Sequence, residues 1–234
     1  MLVTIYFNKK FKIVLQLLFQ YVIIDKKMIY KGENMIEQDY SAGIVSQSFW
    51  FNEFRQLLKL KAENYDTDEI KKRVIEENLF GAPNEYRAKR ICGYLINRTS
   101  VVEKELSDLF FSSDLAAQKL INLIAVIRQD RLFFEFLYEV YREKIILGEK
   151  MLELSDARSF FNHKETQDNA ILEWKDQTKR RIQSAYFNFM AEANLLEIND
   201  KKRLITPPLL DIALERYLRS NGETAIIKAI TGEY

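Results

Sequence analysis

The chain has 234 residues, of which 47% are hydrophobic and 29% charged, with only seven Gly and three Pro. This length suits one large or two modest domains, and the scarcity of chain-breaking residues favours helices over strands. A formal net charge of +1 excludes strong bulk attraction to nucleic acid, and one Cys and one His exclude a disulfide framework and a Cys- or His-based metal site.

Residues 1–34 are rich in Ile, Phe, Lys, Leu and Tyr, which is the composition that AT-rich upstream DNA would encode if it were read through in frame. Their apolar run, residues 11–24, is interrupted by polar side chains and is shorter than the ~20 residues of a transmembrane helix. It also lacks the small residues of a signal-peptide cleavage site. Residues 31–35 back-translate to AAA GGA GAA AAT ATG, a bacterial ribosome-binding site before a start codon. We therefore expect translation to begin at Met35, which the intact mass of the native protein would test.

Three helices are predicted in the N-terminal part of the chain, over residues 46–60, residues 67–77 and from Pro83 or Asn84 to about residue 98. Thr67 is a candidate cap for the second. This order is compatible with a helix-turn-helix-like unit in which Lys89 and Arg90 point away from the apolar face. Two interpretations stay open here: a second nucleic-acid face, or a three-helix packing unit with solvated cations.

The middle of the chain is predicted to form the buried helices, over residues 101–111, 115–127 and 132–146. The last two are apolar on almost every side, which is typical of helices inside a domain. The charged residues at their junction, 128–131, are typical of a helix cap or an ion pair. Gly148 is a plausible break, so we expect one domain over residues 35–148 and a second over residues 149–234.

The second domain contains a long amphipathic helix, which two shorter predicted helices precede. It extends from about Lys175 to Ala193, and its apolar residues recur with the 3.6-residue period of a half-buried helix. Short or forked polar side chains, which suit base edges and phosphates in a major groove, lie on its other face. They are Gln177, Arg180, Ser184 and Asn188, with Arg181 on the flank.

Two short alternating runs, residues 195–198 and 203–206, predict a β-hairpin directly after that helix. At or beside its turn are three cations that can neutralise phosphates, Lys201, Lys202 and Arg203. The alternative is a solvated turn on a domain that binds only proteins. The predicted fold class is mainly α: a helical bundle with an N-terminal helix-turn-helix-like unit and a C-terminal winged helix-turn-helix carrying one short β-hairpin.

No motif for catalysis is found in the sequence. The glycines are scattered singly, so neither a P-loop nor a dinucleotide-binding turn is present. His163 has no candidate catalytic partners, and Cys92 lies on an apolar helical face. Carboxylate-metal nucleases normally hold their acidic groups on a sheet core, which is not predicted here. We therefore expect no enzymatic activity, no cofactor, no bound metal and no small-molecule substrate.

Scattered positions from residue 40 onward resemble the BrxA family, the small all-helical accessory proteins of bacterial BREX phage-defence systems. These positions are Tyr40-Ser41-Ala42-Gly43, Glu53-Phe54-Arg55, Glu77-Asn78-Leu79-Phe80, residues 87–98, Arg131-Leu132, Glu135-Phe136, Trp174, Thr178 and Ala193-Asn194-Leu195-Leu196. The resemblance implies a non-enzymatic, cytoplasmic protein that binds DNA beside a methyltransferase and other BREX components. It supplies no catalytic motif, so the candidate DNA contacts come from the helical pattern alone.

The sequence is therefore compatible with three functions. The first is binding of double-stranded DNA, mainly through phosphates and with weak sequence preference. The second is a scaffold that joins BREX proteins, and the third is a regulator of the defence operon, which needs a preferred site and usually a dimer with fixed half-site spacing. No membrane interaction is expected from residue 35 onward, because no stretch there is a credible span.

Overall fold

As the low content of chain-breaking residues predicted, the structure is mainly helical, and it includes a small antiparallel sheet. The computed structural model describes residues 38–200 and 202–233. The expected start at Met35 and the candidate contact Lys201 lie outside these described residues. A short 3-10 helix, Gly43–Ser46, precedes the other elements in chain order: α1 (Phe51–Ala62), α2 (Thr67–Glu76), α3 (Glu85–Ser100), α4 (Lys104–Ser112), α5 (Leu115–Ile127), α6 (Arg131–Phe136) continuing through the π-helical residues Leu137–Tyr141 into α7 (Arg142–Ile146), α8 (Leu154–Glu165), α9 (Asn169–Glu173), α10 (Asp176–Glu192), β1 (Leu196–Asn199), β2 (Lys202–Ile205), α11 (Ile212–Ser220) and α12 (Thr224–Thr231).

Side-chain caps begin helices α2 and α3. Asp66, rather than the predicted Thr67, caps α2, because its carboxylate accepts a hydrogen bond from the amide of Glu69 while the Glu69 carboxylate accepts one from the amide of Asp66. This reciprocal pair is a capping box. Asn84 caps α3 through its side-chain oxygen. The predicted apolar face of α3 is buried, and α3 packs against α1 and α2.

Helices α5 and α6 lie in the middle of the structure, as their composition predicted. Residues 120–127 and 132–138 are all buried. At the junction between them, the carboxylate of Asp130 accepts a hydrogen bond from the amide of Phe133 and so caps α6. The guanidinium of Arg128 forms an ion pair with Glu223 at 2.6 Å. The interpretation of this junction as a cap and an ion pair is confirmed.

Aromatic contacts join residues on the two sides of Gly148. The ring of Tyr186 on α10 stacks on Phe133 of α6 with 4.4 Å between centroids, and Phe189 meets Phe49 edge-on at 5.9 Å. Contacts of this kind contribute to one shared core, and the chain from Gln38 to Tyr234 groups as one compact unit. The division into domains 35–148 and 149–234 stays a prediction.

The sheet is built around the predicted hairpin. Strands β1 and β2 pair antiparallel, with Leu196 opposite Ile205 and Asn199 opposite Lys202, within one residue of the predicted bounds. A third segment, which the sequence did not indicate, joins β2 on its other edge: Met151 pairs with Leu204, and the amide of Leu152 donates to the carbonyl of Arg203 at 2.9 Å. So short a segment has no detectable sequence period, so only the tertiary structure reveals it.

Candidate nucleic-acid interface

Helix α10 presents a narrow polar stripe to solvent. Its apolar residues Ile182, Tyr186, Phe189 and Met190 are buried, as the helical period predicted. The candidate contacts on the opposite face are all exposed: Gln177, Arg180, Arg181 and Ser184, together with Asn188. The sequence pattern therefore identified the two faces of this helix correctly.

The buried part of α10 is wider than the apolar period indicated. Lys179, Gln183 and Phe187 are also buried, because α8 and the hairpin cover sides of the helix that a helical wheel leaves open. Lys179 tolerates this position because its ammonium group forms an ion pair with Glu165 of α8 at 2.7 Å. The exposed stripe is thus framed by packed structure on both sides.

The two arginines of the stripe are available to a ligand. Within residues 38–200 and 202–233, neither Arg180 nor Arg181 takes part in an ion pair, so their charges are uncompensated by close contacts. The hydroxyl of Ser184 donates a hydrogen bond to the carbonyl of Arg180 at 3.0 Å. Ser184 can therefore accept hydrogen bonds from a ligand but has its own proton committed to the helix.

A groove of about 810 Å³ runs along one side of the stripe, which we call the β1-side groove. Residues of α10, residues 45–49, Lys119 of α5 and the strand β1 line it. Lys119 and Arg181 bring positive charge to this groove, while Glu192 and Glu197 bring negative charge from the end of α10 and from β1. The charge of the residues that line the groove therefore changes from positive to negative along its length.

The wall formed by residues 45–49 is held in place by Arg98 at the end of α3. Its guanidinium donates to the carbonyls of Phe49 and Ser48, at 2.6 and 3.0 Å, and to the side chain of Gln47 at 3.1 Å. Burial lowers the pKa of Arg98 to about 9. Arg98 is thus a positioning residue for the groove, and it is too buried, at 1% exposure, to contact DNA itself.

A second groove of about 560 Å³, which we call the α8-side groove, lies on the other side of the stripe between α10 and α8. Arg180 of α10 and Arg158 of α8 both line it, as does Ser184. Arg158 is exposed. Lys119 and Arg158 were not predicted from the sequence, because each lies on another helix and no local pattern connects either of them to α10.

The cations of the hairpin differ in their surroundings. Lys202 is exposed beside the turn, where Asp200 adopts a left-handed backbone with φ of 45°. The guanidinium of Arg203 instead lies 4.4 Å from the centre of the Phe187 ring and packs the hairpin against α10. Contact of Lys201, Lys202 and Arg203 with DNA stays a prediction.

The predicted surface of α3 also forms a groove, of about 500 Å³, lined by Lys71, Lys89 and Arg90 among others. Lys89 forms an ion pair with Glu85 one turn earlier on α3, which partly offsets its charge. Arg90 is exposed. The structure thus brings Lys89 and Arg90 together with a third cation from α2.

Reactive side chains are scattered in the described part of the chain, which holds no group of three or more His, Cys, Asp or Glu residues able to bind a metal ion. Burial raises the pKa of the Cys92 thiol, which disfavours the nucleophilic thiolate. The ring of His163 is 3.2 Å from the amide nitrogen of Gln167 at the exposed end of α8. Among the described residues, no helix is both long enough and apolar enough to cross a membrane.

Fold and surface together define a mainly helical protein with a small antiparallel sheet and an exposed polar helix framed by two grooves. The sequence profile described as BrxA matches residues 38–222. The chain belongs to the BrxA family, and the resemblance stated from scattered positions is confirmed.

One protein is similar to this chain in sequence, and one solved structure is similar to it in fold. The "BREX protein BrxA" of Bacillus cereus (strain H3081.97) is 30% identical over 197 residues, which cover 84% of this chain and 98% of that protein. A crystal structure of an uncharacterized protein from Magnetospirillum magneticum has the same fold, with a TM-score of 0.72 at 20% identity, over 84% of this chain and 100% of that one.

Several of the positions that carried the resemblance meet around the buried carboxylate of Glu135. The hydroxyl of Tyr40 donates to the carboxylate of Glu135 at 2.9 Å, and Arg131 forms an ion pair with the same carboxylate at 2.9 Å. The Arg131 guanidinium also lies 4.4 Å from the centre of the Tyr40 ring. These residues therefore stabilise the fold by joining the segment before the 3-10 helix to α6.

Proposed function

We propose that this protein is a non-enzymatic accessory protein of a BREX phage-defence system that binds duplex DNA mainly through phosphates. The relative from Bacillus cereus is named as a BREX protein, which supports the first part. The observation that carries the second part is the exposed stripe of α10, where Arg180 and Arg181 have no ion-pair partner within the described residues. Uncompensated cations on a helix are what binding by counterion release requires.

We further propose that α8, α9, α10 and the hairpin form a winged helix-turn-helix. The order of elements supports this, since two shorter helices precede the long polar helix and the hairpin follows it directly. The pairing of Met151 with Leu204 also supports it, because it connects the start of this unit to β2, the second strand of the hairpin. In this arrangement α10 is the recognition helix and the turn beside Lys202 is the tip of the wing.

The groove on α3 is proposed as a second DNA-binding face of the same protein. Lys71, Lys89 and Arg90 converge on it from α2 and α3. The Glu85 carboxylate beside Lys89 lowers the positive electrostatic potential of this groove, so this face contributes less to DNA binding than α10. The N-terminal trio α1 to α3 then has the helix order of a helix-turn-helix-like unit.

An electrophoretic shift of a duplex across a salt series tests the proposed function. We expect binding at low salt, with log K falling linearly as log salt rises, because each phosphate contact contributes about 0.9 to the slope. A slope of at least about 3 would correspond to the cations of α10 and the hairpin turn. No shift at low salt would reject DNA binding for this protein.

A protein scaffold within BREX is the second candidate, and exposed apolar side chains favour it. Leu209, at 98% exposure, lies just before α11, and Ile212, at 72%, is the first residue of that helix. Exposed apolar side chains that form a contiguous patch are typical of surfaces that bind other proteins. Capture of BREX proteins that survives nuclease treatment, together with no DNA shift, would support the scaffold over the DNA binder.

A further inference from the structure

We infer that duplex DNA places one phosphate strand on each side of α10, and that Lys119 of α5 and Arg158 of α8 contact these two strands. This inference rests on the proposed function and deepens it, since it assigns two contact residues outside the winged unit's recognition helix and hairpin. The observation that supports it is a pair of grooves, one on each side of the exposed stripe. Each groove is lined by a cation from a neighbouring helix.

The β1-side groove supplies the first contact. Lys119 is partly exposed there and shares the groove with Arg181. In the part of the chain that the structure describes, Lys119 has no carboxylate partner. A partly buried ammonium group without a partner gains more from a phosphate than one already paired on the surface.

The α8-side groove supplies the second contact. Arg158 and Arg180 line it from α8 and α10, and neither takes part in an ion pair within residues 38–200 and 202–233. The carboxylate of Glu165 in this groove is already paired with Lys179 at 2.7 Å. The remaining acid, Asp176, lies in the first turn of α10, where the helix dipole favours it. The groove is therefore positive where α8 faces α10.

The dimensions of a helix and of DNA fit this arrangement. An α-helix with its side chains is about 10–12 Å across, and the major groove is about 12 Å wide, so a helix seated in it has a phosphate strand on either side. Consecutive residues of a helix are 100° apart, so Arg180 and Arg181 diverge toward the two grooves. Ser184 lines both grooves and therefore marks the ridge between them.

The acidic end of the β1-side groove sets where the DNA lies. Glu192 is eleven positions after Arg181, which is about 16 Å along the helix axis at 1.5 Å per residue. Glu197 of β1 lies in the same groove. Two carboxylates repel phosphates, so the strand on this side crosses the N-terminal half of α10, beside Arg181 and Lys119.

The first experiment compares Lys119→Ala and Arg158→Ala with two controls, Lys104→Ala and Arg216→Ala, whose side chains are exposed and line neither groove. Affinity for a duplex is measured by fluorescence anisotropy over a salt series. Each groove variant should lower the salt slope by about 0.9 and the affinity by about three- to tenfold, and the double variant should lower the slope by about 1.8. The controls should match the parent.

The second experiment uses a duplex in which one strand carries neutral methylphosphonate linkages. With a phosphate strand on each side of α10, the parent should lose roughly half of its salt slope on this duplex. If the full slope is kept, the two-strand arrangement is wrong.

Different results would overturn the inference and the proposed function. Should Arg181→Ala weaken binding while Lys119→Ala and Arg158→Ala keep the parent's slope, the inference is overturned and DNA binding by α10 stands. If the parent protein fails to bind the duplex at low salt, the proposed function fails, and the inference fails with it. Unchanged thermal unfolding of both variants would show that any loss of binding is not a loss of fold.

Discussion

A variant in which four cations of α10 and the hairpin turn become alanine should bind duplex DNA about 100-fold more weakly than the parent at moderate salt. The four are Arg180, Arg181, Lys201 and Lys202. Since each lost phosphate contact removes about 0.9 from the salt slope, the slope should fall by about 3 to 4. The loss should be similar for every duplex sequence, because phosphates carry no sequence information. A salt series of anisotropy titrations on two unrelated duplexes measures both quantities.

The control for this variant carries the same change in charge on other surfaces. Arg55, Lys59, Lys104 and Arg216 are exposed cations that line none of the three grooves described above. Their replacement by alanine should reduce affinity only slightly, through the general lowering of net charge. If the α10 variant binds as the parent does, or no more weakly than this control, the winged unit is not the contact surface and the scaffold interpretation gains support.

The largest effect on stability is expected for Lys164→Ala. Lys164 is 1% exposed, and its ammonium group forms ion pairs with Glu135 and, at 3.0 Å, with Glu139. Removing it leaves Glu135, itself 3% exposed, with less positive charge nearby. Breaking one partner of a buried ion pair costs about 3–5 kcal/mol in free energy of unfolding. Urea denaturation followed by circular dichroism measures this cost.

The cost of Lys164→Ala should depend on pH in a defined direction. Burial raises the pKa of Glu135, but Lys164 and Arg131 outweigh burial and hold it below its ordinary value. A depressed carboxyl pKa stabilises the folded state above the unfolded pKa, and this contribution is lost as the pH falls through the folded pKa. Without Lys164 the Glu135 carboxylate protonates at higher pH. Protonation removes its buried negative charge and so reduces the destabilisation of the variant. The difference between variant and parent should therefore be largest near pH 7 and narrow below about pH 4.5.

Lys104→Ala is the matched control for this prediction. It removes an ion pair with Asp108 at 2.7 Å whose side chains are 89% and 63% exposed. Solvent screens exposed pairs of this kind, so they contribute little to stability. Equal costs for Lys164→Ala and Lys104→Ala would contradict a stabilising role for the buried cluster around Glu135.

The sequence was sufficient to predict the elements near the proposed interface. The two faces of α10 followed from the 3.6-residue period of Ile182, Tyr186 and Phe189, and the hairpin followed from alternating runs around a polar turn. The buried helices α5 and α6 followed from their apolar composition alone. These predictions succeeded because each depends on interactions within a few residues of one another.

Other features of the interface could not be predicted from local sequence patterns. Arg203, predicted at or beside the hairpin turn, also packs on Phe187, because α10 lies close enough for its guanidinium to cover an aromatic ring. Lys119 and Arg158 border α10 only because α5 and α8 pack beside it. The third edge of the sheet at Met151 depends on the position of β2.

By itself, the amino-acid sequence determined which residues form helices and the hairpin, which face of α10 is polar, and membership of the BrxA family. Only the tertiary structure decided that Lys164 meets Glu135 and that Arg98 holds the wall of the β1-side groove. The physical reason is the range of the interactions. Periodicity records how one element divides between water and core, whereas a buried charge finds its partner across helices, at a place that depends on how all of them pack together.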